Sequence, residues 1–288
     1  LDFRFSIFDS RFSILDFRFS ILDSRFSIFD SRFLAYLTPD IYHSMNSSAS
    51  AIKVLIVICV IMFGVSYMVP GMLQIFGLYY PTNKHFRFWQ FVTNIFMHGG
   101  IAHLFFNMYA LWAFGSPLEQ IWGRKKFYVF FFLAGIGAAV IYTLVNVYQF
   151  NNIFDQLVAI GATQPEIDAL LNRGAYNPAW LQHISEGKLE DFHRFYQYPV
   201  VGASGAVYGV LVAFGILFPN AKLFLILLPV PIPAKYFVPA LIALDLFSGV
   251  TGVSIFGGGI AHFGHVGGAI IGFLLMWYWR QKEKPKYH

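Results

Sequence analysis

The stretch Tyr198-Pro199-Val200-Val201-Gly202-Ala203-Ser204-Gly205-Ala206-Val207-Tyr208-Gly209 decides how the chain is read. It sets a serine among small residues at the mouth of a long apolar run. Gly205 and Gly209 stand four apart, so a helix starting here carries a smooth stripe that lets a second backbone come close. Ser204 and Tyr208 keep the same step and share one helical face. Ser204 is then either a small polar residue in a packing seam or a nucleophile that needs a partner from another helix.

Composition puts that helix in a membrane. Of 288 residues, 57% are hydrophobic and 12% charged, roughly half the charge of an average soluble domain. The net charge of +5 is modest, and the basic residues are dispersed, which argues against nucleic acid as a partner. The single cysteine, Cys59, lies in an apolar run, so neither a disulfide framework nor a cysteine metal site is built here.

Working outward, the apolar segments predict six spans: Ile52 to about Leu73, Trp89 to about Phe114, Phe127 to about Tyr148, Val200 to about Phe218, Lys235 to about Val250, and His262 to Trp279. Most approach the roughly 20 residues that cross about 30 Å of hydrocarbon. Residues 115–126 read as a short loop. Residues 150–198 read as a polar insertion of amphipathic helices, residues 223–234 as a proline-rich interfacial loop, and residues 251–260 as a mobile glycine-rich segment. Lys125, Lys126, Lys222, Lys235, Arg280 and Lys282 put their ends of the spans, and both ends of the core, on the cytoplasmic side. The expectation is an all-α polytopic membrane protein, a six-helix bundle over residues 45–288. Residues 1–44 are different. Arg4, Arg11, Arg18, Arg25 and Arg32 recur every seven residues, but alternating apolar positions and Asp-Ser breakers argue against a coiled coil. We expect a low-complexity extension outside the fold, with Met45 as the initiator.

This topology brings the costly polar residues to one depth. Ser204 and His265 each begin an inward span, and His98 and His103 lie in the outer half of the second. Intramembrane His and Asn need a cavity or partners. Serine chemistry supplies them with roles: Ser204 as nucleophile, His265 as base, and His103, the Asn107 amide and the Ser204 N–H as donors to an oxyanion. In Ala261-His262-Phe263-Gly264-His265-Val266-Gly267-Gly268-Ala269-Ile270-Ile271-Gly272, Gly268 and Gly272 would face Gly205 and Gly209. Tyr208 would pack on the His265 ring in place of a third carboxylate. His98 either holds a polar network or caps a loop. His262 reads as structural, and Asp245 as the partner of a nearby hydroxyl or backbone group. No cofactor and no metal are expected, because His98, His103, His262 and His265 lack a His-Glu-x-x-His helix or carboxylates at helical spacing. The competing class is an ion or proton pathway, which would call for paired halves that are not seen.

These residues resemble the rhomboid intramembrane serine proteases. The likeness rests on Gly202-Ala203-Ser204-Gly205, on His265-Val266-Gly267-Gly268 with Gly272, on His98 followed by His103-Leu104-Phe105-Phe106-Asn107, and on Glu119 in Gly115-Ser116-Pro117-Leu118-Glu119. It covers about residues 50 to 280. It implies a six-helix fold and an endopeptidase working by a Ser204–His265 dyad without an acidic third member. Single-span membrane proteins in the lipid bilayer would be its substrates, entering laterally near the fifth span beneath a cap at residues 251–260. It also suggests a bacterial plasma-membrane location. Within the family, the alternative is an inactive member that only binds membrane helices. The chain departs from the family with Trp89-Gln90 for Trp-Arg, with Asn94 where some relatives carry histidine, and with a longer residue 150–198 insertion.

Overall fold

The computed structural model describes residues 50–225, 228–253 and 260–282. The heptad extension and most of the expected cap at residues 251–260 lie outside them.

The first helix, α1 (Ala51–Met68), starts on a carboxylate from far along the chain. Glu119 accepts the Ala51 and Ile52 amides at 2.6 and 3.2 Å and the Ser50 hydroxyl at 2.7 Å. A negative group suits the unpaired amides and the positive dipole end of a helix. Short helices α2 (Met72–Phe76) and α3 (Gln90–Thr93), with a 3₁₀ turn at Asn94–Phe96, lead to α4 (Ile101–Ala159). At Gly123 the backbone leaves helical geometry, with φ 73° and ψ 163°. A positive φ favours glycine, and the break divides α4 into limbs of residues 101–122 and 124–159. Then come α5 (Gln164–Arg173), α6 (Glu186–Gln197), α7 (Ser204–Leu217), a hairpin of β1 (Lys222–Leu225) and β2 (Leu228–Pro233), α8 (Ala234–Thr251) and α9 (His262–Lys282).

All six expected spans carry helix, with corrected limits. The second begins at Ile101 rather than Trp89, and residues 115–122, expected in a loop, remain helical. Gly115 is small here for packing: a Cβ on it would stand 2.7 Å from Ile52 Cδ1 and 3.1 Å from Phe127 Cζ. The expected loop at residues 223–234 is instead an antiparallel hairpin with Leu223 opposite Ile232. A two-stranded ribbon tolerates its prolines, because each strand has a free edge where the missing donor costs little. By length and composition α1, α4 and α8 can each cross a membrane, and α7 is a shorter apolar helix. The molecule is an all-α polytopic membrane protein apart from that hairpin.

The core packs Ile52, Leu55, Leu111, Leu118, Phe127, Phe130, Phe131 and Val210 between α1, α4 and α7. At one end, Lys126 Nζ lies 4.6 Å over the Trp279 ring and 5.8 Å over Trp122, joining the α4 bend to the end of α9. At the other end, Leu78 and Val200 pair as a β-bridge, which holds the first loop against the segment entering α7. The insertion forms its own cluster there. Phe150, Ile153 and Leu157 of α4 pack with Leu170 of α5, Leu189 and Phe192 of α6, and Trp180. The second limb of α4 runs past its expected end near Tyr148 to supply that floor.

Candidate active site

The site begins as a contact between two backbones. A Cβ on Gly268 of α9 would overlap the Gly205 carbonyl of α7, and one on Gly272 would stand 2.5 Å from Gly209 Cα. On the other side of α7, a Cβ on Gly205 or Gly209 would come within 2.6 Å of Ala138 Cβ or 2.7 Å of Ala134 Cβ. Helix α7 is thus held between α4 and α9 by small residues, the kind of close packing that glycine permits in membranes. The expected glycine step of α9 does face that of α7.

This seam brings the N-terminal ends of α7 and α9 together. His265 Nε2 lies 2.9 Å from Ser204 Oγ. The Tyr208 ring, one turn below Ser204, stacks on the His265 ring at 4.3 Å and 10°. Asp245 of α8 is buried, at 3% exposure, and accepts His265 Nδ1 at 3.1 Å and His262 Nδ1 at 2.6 Å, both on Oδ1. The Tyr208 hydroxyl donates to its other oxygen, Oδ2. Tyr208 stacks on His265 as expected, but a carboxylate, unexpected at this place, also lies behind His265 and takes the Tyr208 hydroxyl. The expected hydroxyl partner of Asp245 is Tyr208, but the two imidazoles were missed. His262 Nδ1 lies on Asp245, and His262 makes no hydrogen bond to Ser204.

On the opposite side of Ser204, Gly202 has φ 129°, and a Cβ there would stand 2.7 Å from His103 Nε2 and 3.7 Å from Ser204 Oγ. Gly202 therefore keeps open the gap between those two atoms. Its N–H is held by the Asn94 carbonyl at 2.9 Å. The Gly99 amide donates weakly, at 3.4 Å, to His103 Nδ1. That bond puts the ring hydrogen on Nε2 and leaves a donor facing the gap. Asn107, one turn further along α4, has a buried amide nitrogen without a hydrogen-bond partner. His98 is buried and packs edge-on against His103 at 5.2 Å. The amides of Ser204, Gly205 and Ala206 precede the first bond of α7, from Val207 N–H to the Ala203 carbonyl at 3.0 Å. Unpaired amides at a helix start stabilise negative charge. A narrow cleft opens here, lined by Asn94, Val201, Gly202, Ser204, Gly264 and His265 among others.

Gln90 is fully buried. It accepts the Tyr79 and Arg87 amides at 3.3 and 3.1 Å and donates to the Gln74, Ile75 and His85 carbonyls at 3.2, 3.3 and 2.8 Å. It pins the first loop through neutral hydrogen bonds. For a metal, the described residues that gather ligand atoms are Asp245, His262 and His265, all within 4.8 Å. Those atoms already hydrogen-bond to one another. His98 and His103 are not part of that group.

The Rhomboid domain family matches residues 85–165 and 176–282. The chain is similar to presenilin-associated rhomboid-like protein A, mitochondrial, of Danio rerio, with 29% identity over 75% of this chain and 45% of that protein. It is similar to rhomboid protein 1, mitochondrial, of Saccharomyces cerevisiae, with 26% identity over 65% of this chain and 40% of that one. With rhomboid protease AarA of Providencia stuartii it shares 27% over 65% of this chain and 54% of that protein. The matched part thus spans less than half of the fish and yeast relatives. Because these two are mitochondrial, the expected bacterial plasma membrane finds no support. What stands is a membrane protein.

Proposed function

The chain belongs to the rhomboid family, and from that premise we propose that it is an intramembrane serine endopeptidase acting on single-span membrane proteins. The observation that carries the proposal is the 2.9 Å approach of His265 Nε2 to Ser204 Oγ at the paired starts of two helices. Ser204 Oγ attacks the carbonyl carbon of a peptide bond, and its proton passes to His265 Nε2. The oxyanion is held by His103 Nε2–H, the Asn107 amide and the Ser204 N–H. Each such donor lowers the barrier by roughly 3 kcal/mol. The protonated His265 then gives its proton to the leaving amine. Water, deprotonated by the same ring, attacks the acyl-serine and frees the second fragment and Ser204. Gly202 keeps the cleft open next to these atoms, since any side chain there would fill it. Substrate helices that unwind easily are expected to be cleaved best, because a helical peptide bond hides its carbonyl from attack.

The test is cleavage of a single-span reporter in proteoliposomes by the wild type, Ser204→Ala and His265→Ala. Activity should fall by at least about 10³-fold in both variants, the scale seen when a serine nucleophile or its base is lost. A wild type that binds reporter helices and does not cut them would instead make this an inactive, helix-binding member.

A further inference from the structure

We infer that Asp245 is the positioning residue for the base of the proposed site, with His262 holding the carboxylate, so that the chain carries a buried Ser204–His265–Asp245 line and not a bare dyad. This rests on the protease reading above and adds a claim that can fail separately.

The argument starts from hydrogen inventory. An ionised carboxylate only accepts. Asp245 is buried and meets three donors from two other helices: the Tyr208 hydroxyl of α7 and the Nδ1 atoms of His262 and His265 of α9. Both imidazoles must then carry hydrogen on Nδ1. For His265 the consequence is direct, because its Nε2 then turns a lone pair to the Ser204 hydroxyl at 2.9 Å. The other neutral tautomer would point an N–H at that hydroxyl and could not take its proton. Asp245 thus selects the form of His265 that acts as a base. When the Ser204 proton moves to Nε2, Nδ1 keeps its own hydrogen, and Asp245 stays ionised next to the new imidazolium. No proton reaches the carboxylate.

His262 explains why the carboxylate holds still. Its bond to Oδ1, at 2.6 Å, is shorter than that of His265, at 3.1 Å. Gly249 of α8 lies against α9 at the same level, where a Cβ would come 3.3 Å from His262 Cβ and 3.1 Å from the Phe263 ring. The tighter grip falls on the imidazole that makes no hydrogen bond to Ser204. His262 therefore fixes Asp245, and Asp245 orients His265.

The simpler alternative is a structural staple that ties α8 to the bundle. Three readouts separate the two roles. In proteoliposomes, Asp245→Asn should lower kcat on the order of 10²- to 10⁴-fold, since the amide N–H₂ favours the wrong tautomer, with KM near the wild-type value. His262→Asn, whose amide hydrogen can replace Nδ1–H, should keep more kcat than His262→Ala. In ¹⁵N-histidine-labelled wild type, neutral His265 should carry its hydrogen on Nδ1. The inference is overturned if Asp245→Asn keeps wild-type kcat, or if wild-type His265 carries its hydrogen on Nε2. The tautomer measurement decides alone if Asp245→Asn does not fold. Cleavage that survives Ser204→Ala or His265→Ala would instead sink the protease reading itself.

Discussion

Two of the helices around Ser204 are held by opposite means. Helix α9 meets α7 backbone to backbone, with no side chain between Gly205 and Gly268 or between Gly209 and Gly272. Helix α8 buries few side chains: Ala234, Val238, Asp245 and Ser248. Leu246, Phe247 and Val250 face outward. Its hydrogen-bonded link to the site is one charge, which takes bonds from α7 and α9 beside the apolar contact of Val238 with Val212 and Ala269 and the close approach of Gly249 to His262. The comparison teaches that the approach of Ser204 to His265 is set by shape, whereas the orientation of the His265 ring also depends on polar contacts. Shape tolerates almost no added volume. Polar contacts tolerate volume on the outer face and fail when a donor or acceptor is lost.

The strongest way to break this contrast is a single methyl group. Gly268→Ala forces its Cβ into the Gly205 carbonyl, so α7 and α9 must part. A shift of about 1 Å between reacting groups costs on the order of 10²-fold, and reporter cleavage should fall at least that far. An alanine placed on the outer face of α8 supplies the control. Leu246→Ala, at a position 45% exposed, should leave cleavage near the wild-type rate. Equal losses in both variants would mean that α8 is held by shape as well.

Next in size is Tyr208→Phe. The ring still stacks on His265, but the carboxylate loses one of its three donors. We expect kcat to fall about tenfold, equivalent to about 1.4 kcal/mol, with KM little changed. A loss as large as that of Gly268→Ala would show that the stack, and not the hydroxyl, sets the ring. The polar side also has a sharper rival. Asp245, His262 and His265 are ligand types for zinc, and their atoms lie within 4.8 Å of one another. Dialysis against a chelator should leave cleavage unchanged. Activity lost to the chelator and restored by zinc would turn the polar cluster into a metal centre.

How much of this was legible follows the same divide. The glycine steps of α7 and α9, four residues apart in each, can be read from sequence because spacing within one helix fixes a face. That spacing alone brings Ser204 and His265 together. Asp245 was visible as an ionisable residue in an apolar run, but its partners were not. It lies 17 residues before His262, across a glycine-rich segment that carries no rotational register from α8 to α9. The helix through Gly115, Ser116 and Pro117 was hidden because these residues read as breakers, although Gly115 serves close packing against Ile52 and Phe127. In the sequence, Gln90 stands out only as a departure from the pattern of the family it resembles. Its five hydrogen bonds go to backbone groups, which leave no mark in sequence.

The smallest expected effect tests whether the outer unit is separate from both sides of the site. At the start of α5, Glu166 accepts the Thr163 amide at 2.9 Å and its hydroxyl at 2.7 Å. The amide first and then the hydroxyl hold the Glu166 carboxyl below its usual range. A carboxylate lowered by folding stabilises above its unfolded value, and that contribution is lost as pH falls through the folded one. Hydrogen exchange at residues 164–173, corrected for its intrinsic pH dependence, should therefore quicken on acidification through and below the ordinary carboxylate range. Glu166→Gln keeps an acceptor in the same capping arrangement and removes the titration, so its exchange should lose that pH dependence. Reporter cleavage should be the same for both proteins at neutral pH. The insertion packs around its own aromatic cluster of Phe150, Trp180 and Phe192, and its helix caps share no residue with the seam or with the carboxylate. A change in cleavage with Glu166→Gln would make the insertion a third support of the site, reaching Ser204 through the Leu78–Val200 bridge.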